Sequence, residues 1–196
     1  MKNSATIILS ALALSLSSTA QAGAVGTLVT AGLHQERAYY YSNYDEQFTD
    51  KQMRFNSGIG FEALVGDKDE KIQGILRFLW VSDAPPATPD TGDTAGAEHP
   101  DYDALSNSNA GVLGLGVQWG VLGDPSDKQL VVTSVVGSGF ITKDNSEYVL
   151  AEVGAGGTYN ITEEIQAHAN LALTMRNRKY ISFGPNLYMG VRYLFD

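Results

Sequence analysis

The chain has 196 residues, 43% of them apolar, and contains no cysteine. Without cysteine it has no thiolate metal site, iron–sulfur cluster, cysteine nucleophile or disulfide. The formal charge of −9 argues against nucleic-acid binding, which requires a basic surface.

The first 22 residues have the pattern of a cleavable signal peptide. Lys2 precedes an apolar run from Ile7 to Leu16, which is shorter than the roughly 20 residues of a membrane-spanning helix. Ala20-Gln21-Ala22 has the small-x-small form at which signal peptidase cleaves. We therefore predict a signal peptide over residues 1–22 and one domain over residues 23–196.

Eight segments of that domain alternate apolar and polar side chains with a period of two, the pattern of a strand with two different faces. Their lengths, about ten to fourteen residues, suit tilted strands that cross a bilayer. In chain order they are Val25 to Glu36, Met53 to Val65, Ile72 to Ser82, Asn109 to Leu122, Gln129 to Phe140, Tyr148 to Ile161, Ile165 to Arg176, and Asn186 to Phe195.

The connections between these segments differ in length on the two sides. Arg37 to Gln52 and Asp83 to Ser108 are long, whereas Gly66 to Lys71 and Thr162 to Glu164 are short and polar. Short turns on one side and longer loops on the other are typical of outer-membrane barrels. The sequence therefore predicts an all-β, eight-stranded, antiparallel up-and-down transmembrane β-barrel.

The distribution of charge predicts which face of each strand points outward. A soluble barrel such as a lipocalin hides its apolar face, whereas a membrane barrel turns that face toward lipid. Here the apolar face of the segments carries no charge, and the alternate face is rich in glycine. We predict that the charged residues of that alternate face point inward: Arg54, Glu62, Arg77, Glu152, His168, Arg176 and Arg192.

Inward charges must pair, because the interior of an eight-stranded barrel is only wide enough for side chains. Hairpin register predicts Glu62 one diagonal step from Arg77, Glu152 near Arg176, and His168 opposite Arg192. The inward charged residues together form either a structural plug of ion pairs or a gated polar path for ions. The fourth and fifth segments carry small residues at their inward positions. These residues either leave room for the arginines opposite or form a small apolar cavity. They are Gly114, Gly116, Gly120, Val131, Val135, Gly137 and Gly139.

Aromatic residues on the apolar face form two groups at different depths, as anchoring at two membrane interfaces requires. The group near the outer rim is Phe55, Trp80 and Phe140, and the group near the inner rim is Trp119, Tyr159, Tyr193 and Phe195.

The end of the chain reads Tyr188-x-Gly190-x-x-Tyr193-x-Phe195, followed by Asp196. This motif resembles the terminal signal of outer-membrane barrels, although many of those end on the aromatic residue itself. With the eight segments, the chain is similar to the small barrels of the OmpA transmembrane domain, OmpX and Ail group. The resemblance implies a Gram-negative outer membrane, contact with its lipids and lipopolysaccharide, and insertion by the barrel-assembly machinery.

Catalytic and metal-binding patterns are weak, so we predict no catalytic residue, metal or cofactor. His34, His99 and His168 lack metal-ligand spacing. Lipid A deacylases, the main enzymatic alternative, have a His and a Ser close together near the outer rim. His34 is near that rim, but no serine shares its strand. The long connection from Asp83 to Ser108 is acidic, but its spacing is not that of a calcium-binding EF-hand.

The first long connection combines aromatic and acidic residues, a composition that suits a protein or glycan partner. Its aromatic residues are Tyr39, Tyr40, Tyr41, Tyr44 and Phe48. We predict a non-catalytic outer-membrane protein with a structural role or a surface-interaction role through its extracellular loops. The alternatives are a narrow porin-like diffusion pore and a lipid A-modifying enzyme.

Overall fold

The computed structural model describes residues 22–36, 39–42, 45–48, 52–83, 109–141, 146–177 and 181–195. These residues form ten strands. In chain order they are β1 (Ala22–Glu36), β2 (Tyr39–Ser42), β3 (Asp45–Phe48), β4 (Gln52–Val65), β5 (Ile72–Asp83), β6 (Asn109–Gly123), β7 (Lys128–Ile141), β8 (Ser146–Asn160), β9 (Ile165–Asn177) and β10 (Ile181–Leu194).

Eight of these strands close into a barrel in the order β1-β10-β9-β8-β7-β6-β5-β4. Each strand pairs antiparallel with its sequence neighbour in the barrel, and β1 closes the ring by pairing with both β10 and β4. The predicted eight-stranded antiparallel barrel is therefore confirmed. The two short strands, β2 and β3, form a separate two-stranded sheet in the first long connection. No described helix is long and apolar enough to cross a membrane.

The strands extend beyond most of the predicted limits, and the largest difference is in β10. The prediction began this strand at Asn186, whereas pairing with β9 continues to Ile181, which lies opposite Asn177. Pairing with β1 stops at Asn186. Pro185 has no backbone N–H. It lies beyond the last β10 residue that pairs with β1, so its missing donor removes no hydrogen bond from the β1–β10 pairing.

Two of the short connections begin at a glycine with a left-handed backbone. Gly66 has a φ of 126° and Gly123 a φ of 98°, values that L side chains rarely adopt. After Gly123, the Asp124 carboxylate accepts hydrogen bonds from the Ser126 N–H at 2.9 Å and the Ser126 hydroxyl at 2.7 Å. These two bonds hold the pKa of Asp124 below its usual range, because they stabilise the charged form.

The barrel interior is more apolar than the prediction of a polar face implied. One group of buried side chains includes Leu79, Val112 and Leu150, and a second includes Leu64 and Ile75. Both groups occupy the inward face, on which polar residues alternate with them along the barrel axis. The ion pairs described below therefore lie among both apolar and polar side chains.

The inward glycines of β6 and β7 leave space for several neighbours, among them the expected arginine at Gly114, which faces Arg77 in the β5–β6 pairing. A Cβ added at Gly139 would overlap the Tyr148 ring, and one at Gly120 would overlap the Gln129 carboxamide. At Gly114 the nearest atom is a methyl carbon of Val135, while Arg77 is 3.9 Å away. These glycines accommodate large side chains of neighbouring strands.

The substitution Gly139→Ala tests this use of space. The added methyl group must displace the Tyr148 ring from its buried position, and overpacking of this kind costs about 1–3 kcal/mol. Gly157→Ala is the matched control, because the nearest atom to its Cβ is 3.6 Å away. Urea unfolding in detergent micelles, followed by tryptophan fluorescence, measures both. Equal stability of the two variants would show that the Tyr148 ring does not depend on Gly139.

Candidate functional site

The two faces of the barrel wall have opposite polarity. Large apolar side chains are exposed on the outer surface along all eight strands, whereas the buried polar and charged side chains point inward. The seven aromatic residues of the two predicted groups are all exposed: Phe55, Trp80, Trp119, Phe140, Tyr159, Tyr193 and Phe195. A globular protein that folds in water hides such residues, so this surface requires an apolar environment.

The Trp80 and Trp119 side chains lie near opposite ends of this outer surface. Trp119 is paired with Ile72, the first residue of β5 after a short turn, whereas Trp80 is paired with Gly111 near the start of β6. Tyr193 is likewise paired with Ile165, at the short turn between β8 and β9. Trp80 thus lies toward the long connections, Trp119 and Tyr193 lie toward the short turns, and the exposed Phe61 and Phe78, which face each other, lie between them.

The most buried ion pairs inside the barrel meet at Glu62 of β4, which is 1% exposed. The Arg77 Nε and Nη2 atoms each lie 2.7 Å from Glu62 Oε2. The Arg192 guanidinium donates to the other carboxylate oxygen, Glu62 Oε1. Glu62 and Arg77 face each other directly in the β4–β5 pairing, rather than across the diagonal step expected.

The Arg77 side chain also crosses the interior to β8. Its Nη1 atom lies 3.0 Å from Glu152 Oε2, and its Cζ atom stacks 4.2 Å from the centre of the Tyr188 ring. The other Glu152 oxygen accepts a hydrogen bond from the Thr174 hydroxyl at 2.8 Å and one from the Tyr188 hydroxyl. Groups from β5, β8, β9 and β10 therefore meet at a single carboxylate.

Arg176 was the expected partner of Glu152. In the β8–β9 pairing Glu152 faces Thr174, and Arg176 lies two residues further along β9, opposite Leu150. Glu152 and Arg176 are therefore diagonal neighbours, as expected. The cross-barrel pair with Arg77 was missed. The Arg176 guanidinium lies 5.4 Å from the centre of the Tyr148 ring.

The expected pairing of His168 with Arg192 is wrong. His168 faces Gly190, and Arg192 faces Gln166. Pairing of β9 with β10 continues to Asn177 and Ile181, so residues 178–180 connect the two strands. The observed register differs by two positions from the predicted register, in which His168 faced Arg192. His168 fits because a Cβ at Gly190 would collide with its ring.

A chain of carboxamides closes the end of the barrel at the short turns. Arg192 Nη1 donates to Gln118 Oε1 at 3.2 Å and to Gln166 Oε1 at 3.3 Å. Gln118 donates to Gln73, and Gln73 donates to the backbone carbonyl of Asp67 in the β4–β5 turn. On the other side, the chain continues from Gln166 through Asn160 to the backbone carbonyl of Pro125 in the β6–β7 turn.

Several residues of this interior network were not recognised from the sequence as functional. Gln73, Gln118, Gln166, Thr174 and Asn186 are uncharged, and their only signal was their place on the inward face. Tyr188 was assigned to the terminal assembly motif with Gly190, Tyr193 and Phe195. Its side chain is 1% exposed and bonded within the network, whereas Tyr193 and Phe195 are exposed and their rings pack edge to face at 5.2 Å.

Other predicted residues lie apart from the network or outside the described residues. His34 points inward and is 1% exposed, so its ring does not face surrounding lipid as a lipid-modifying residue must. Tyr39, Tyr40 and Tyr41 belong to β2 and Phe48 to β3, but their side chains, that of Arg54, and the whole of Tyr44 lie outside the described residues. The described residues contain no cluster of His, Asp and Glu that could hold a metal ion.

Comparison with known proteins gives similarity to solved structures alone. No family model matches the chain, and no curated protein matches its sequence. Neisserial surface protein A (NspA) is 14% identical, with a TM-score of 0.46, covering 88% of this chain and 99% of that one.

Ail, the attachment invasion locus protein of Yersinia pestis, is also similar, in a structure with the heparin analogue sucrose octasulfate. It is 11% identical, with a TM-score of 0.42, covering 89% of this chain and 100% of that one. At such identities the closed strand pairing of the chain itself establishes the fold.

The variant Glu152→Ala tests the interior network. It leaves Arg77 without one partner and the Thr174 and Tyr188 hydroxyls without their acceptor, so we expect the free energy of unfolding to fall by about 3–5 kcal/mol. The double variant with Arg77→Ala should cost less than the sum of the single changes, because the unpaired charge is removed. Glu163→Ala, at an exposed turn residue, is the matched control. Strictly additive changes would contradict the cross-barrel pair.

Proposed function

We propose that this protein is an integral β-barrel of the bacterial outer membrane with no catalytic role. The observation that carries the proposal is the inverted polarity of the wall, with exposed apolar side chains outside and paired charges inside. Closed barrels are one of the two structures whose backbone groups are all satisfied within a bilayer. The signal sequence predicted over residues 1–22 supports export, and the terminal aromatic motif supports insertion by the barrel-assembly machinery.

The two groups of exposed aromatic residues support a transmembrane orientation. We infer that the short turns face the periplasm and the long connections face outward, as in outer-membrane barrels generally. In this orientation Trp80 and Phe55 lie near the outer interface, and Trp119 and Tyr193 lie near the inner one. Outer-membrane lipids and lipopolysaccharide then surround the belt between the two groups.

The interior supports a structural plug better than a diffusion pore. Arg77 and Arg192 reach strands on other parts of the wall, and the carboxamide chain runs across the end at the short turns. A steady ion path would require these bonds to break together. The lipid A-modifying alternative is not supported, because the His34 side chain is buried inside the barrel.

With a filled interior, the segments outside the barrel wall are the ones left to contact a partner. The β2–β3 hairpin pairs with itself, separately from the barrel sheet, and its sequence carries four tyrosines between positions 39 and 44. We propose that this connection binds a protein or a glycan at the cell surface. Tyrosine supplies large contact area at low entropic cost.

Heat-modifiability tests the membrane placement. The chain lacking residues 1–22, refolded in detergent, should migrate differently in unboiled and boiled gel samples and give a β-type circular dichroism spectrum. In planar bilayers the same protein should give no steady conductance, because its interior is filled. A stable monomer in water without detergent would contradict the membrane placement, and a steady conductance would favour the pore.

Deletion of residues 39–48 tests the surface role. We expect the barrel to fold and insert normally, because the hairpin pairs outside the barrel sheet, while capture of a partner from detergent-solubilised envelopes is lost. Alanine at Asp67, Lys68, Asp69 and Glu70 is the matched control at the opposite end of the barrel. If the deletion prevents insertion, the hairpin belongs to the folding unit and the proposed role loses its support.

A further inference from the structure

The barrel wall closes between β1 and β10, and the pairing of these two strands is shorter than the strands themselves. The last paired residues toward the long connections are Gly32 of β1 and Asn186 of β10. Beyond this pair both described strands continue, but β1 pairs only with β4 and β10 only with β9. We call the unpaired stretch, residues 33–36 against residues 181–185, the outer seam.

The residues next to the last pair explain why the pairing stops. Pro185 is the next residue of β10, and it has no backbone N–H with which the pairing could continue. Gly184 follows, and it lies so close to β1 that an added Cβ would overlap the Leu33 carbonyl oxygen. Because Gly184 has no side chain, it adds no side-chain packing across the seam. The two strands are therefore in contact at the outer seam without the ladder of hydrogen bonds that joins them below it.

Directly behind the outer seam, polar side chains of both strands are buried without a full set of hydrogen bonds. His34 of β1 is 1% exposed, and neither of its ring nitrogens has a hydrogen-bond partner among the described residues. Asn186 of β10 donates to the Thr174 hydroxyl at 2.8 Å, but its Oδ1 atom accepts no bond within the described part of the chain. A buried polar atom without a partner is costly, and a hydrogen bond from water removes that cost.

We propose that the outer seam is a lateral gate, which opens when β1 with β4 separates from β10 with β9 above Gly32 and Asn186. The closed state has unbonded polar atoms behind a seam that lacks a hydrogen-bond ladder. The open state gives those atoms water as a partner. Below the gate, nine consecutive residue pairs join β1 to β10, so the rest of the wall stays closed.

The gate lies at a level that water reaches from outside the membrane. Leu33 faces Phe55 in the β1–β4 pairing, and the orientation proposed above places Phe55 near the outer interface. This location rests on the proposed function, whereas the opening itself rests on the strand pairing. An opening here connects the outer end of the interior to the side of the barrel.

Because the chain contains no cysteine, a single introduced thiol reports on the gate. Ser182 belongs to the outer seam and is inward and 5% exposed, so Ser182→Cys places a buried thiol there. Ala110→Cys is the matched reference, because Ala110 is 2% exposed and lies near the same end of the barrel, on β6. Both variants are reconstituted in phospholipid vesicles and treated with a charged, membrane-impermeant maleimide. We expect the thiol at position 182 to react about tenfold faster, because local opening controls access to it.

Two further changes, each combined with Ser182→Cys, test what causes the opening. Pro185→Val restores a backbone donor, so labelling should slow about two- to tenfold, the range of one net hydrogen bond. His34→Leu removes the unbonded ring nitrogens, so labelling should slow by about tenfold. His168→Leu is the matched control and should leave the rate unchanged. The His168 Nε2 atom also has no partner among the described residues, but His168 faces Gly190, which is paired with β1.

The remaining outcomes overturn the gate. Equal labelling of the two thiols shows that the reagent does not enter through the outer seam. Rates unchanged by both Pro185→Val and His34→Leu show that neither the missing donor nor the unbonded nitrogens control access. If Pro185→Val does not fold, as judged by heat-modifiability, the His34→Leu result decides alone. A chain that fails to float with the vesicles overturns the membrane placement instead, and the same labelling in detergent micelles then tests the opening.

Discussion

The Glu62 carboxylate, held between the Arg77 and Arg192 guanidinium groups, is the contact around which the barrel interior is arranged. A charge removed from water is costly unless an opposite charge and hydrogen bonds replace its hydration. Here each oxygen of Glu62 binds a different arginine, and each arginine then reaches a further acceptor on another strand. The requirement that buried charges be satisfied thus becomes a set of bonds that fix several parts of the wall relative to one another.

The same requirement explains why neutral amides occupy the end of the barrel at the short turns. Arg192 has more donors than Glu62 can accept, and Gln118 and Gln166 accept two further bonds from its Nη1 atom without adding charge. A carboxamide that accepts through its oxygen can donate through its nitrogen, so each glutamine passes a bond onward until a backbone carbonyl of a turn is reached. In this way the central ion pairs are connected to the β4–β5 and β6–β7 turns.

The fold was predictable from the sequence, because period-two alternation and alternating connection lengths are local signals that all eight segments carry. The inward position of Glu62, Arg77 and Glu152 follows from the same alternation. The partners of these three residues do not follow from the alternation. The bond from Arg77 to Glu152 forms across the closed barrel, and the sequence of a single hairpin carries no information about it. The error at His168 and Arg192 arose at the connection after Asn177, because the position of the turn sets the register, and a register shift of two positions changes every partner in the hairpin. The part of Tyr188 in the interior network was missed, because an aromatic residue near the end of the chain fits both an assembly motif and the inward face.

A filled interior also determines where any function can be located. Most of the width of an eight-stranded barrel is needed for its side chains, and here the cross-barrel bonds and the apolar residues around them occupy it. A partner can therefore reach only the connections beyond the strand ends and the outer surface of the wall.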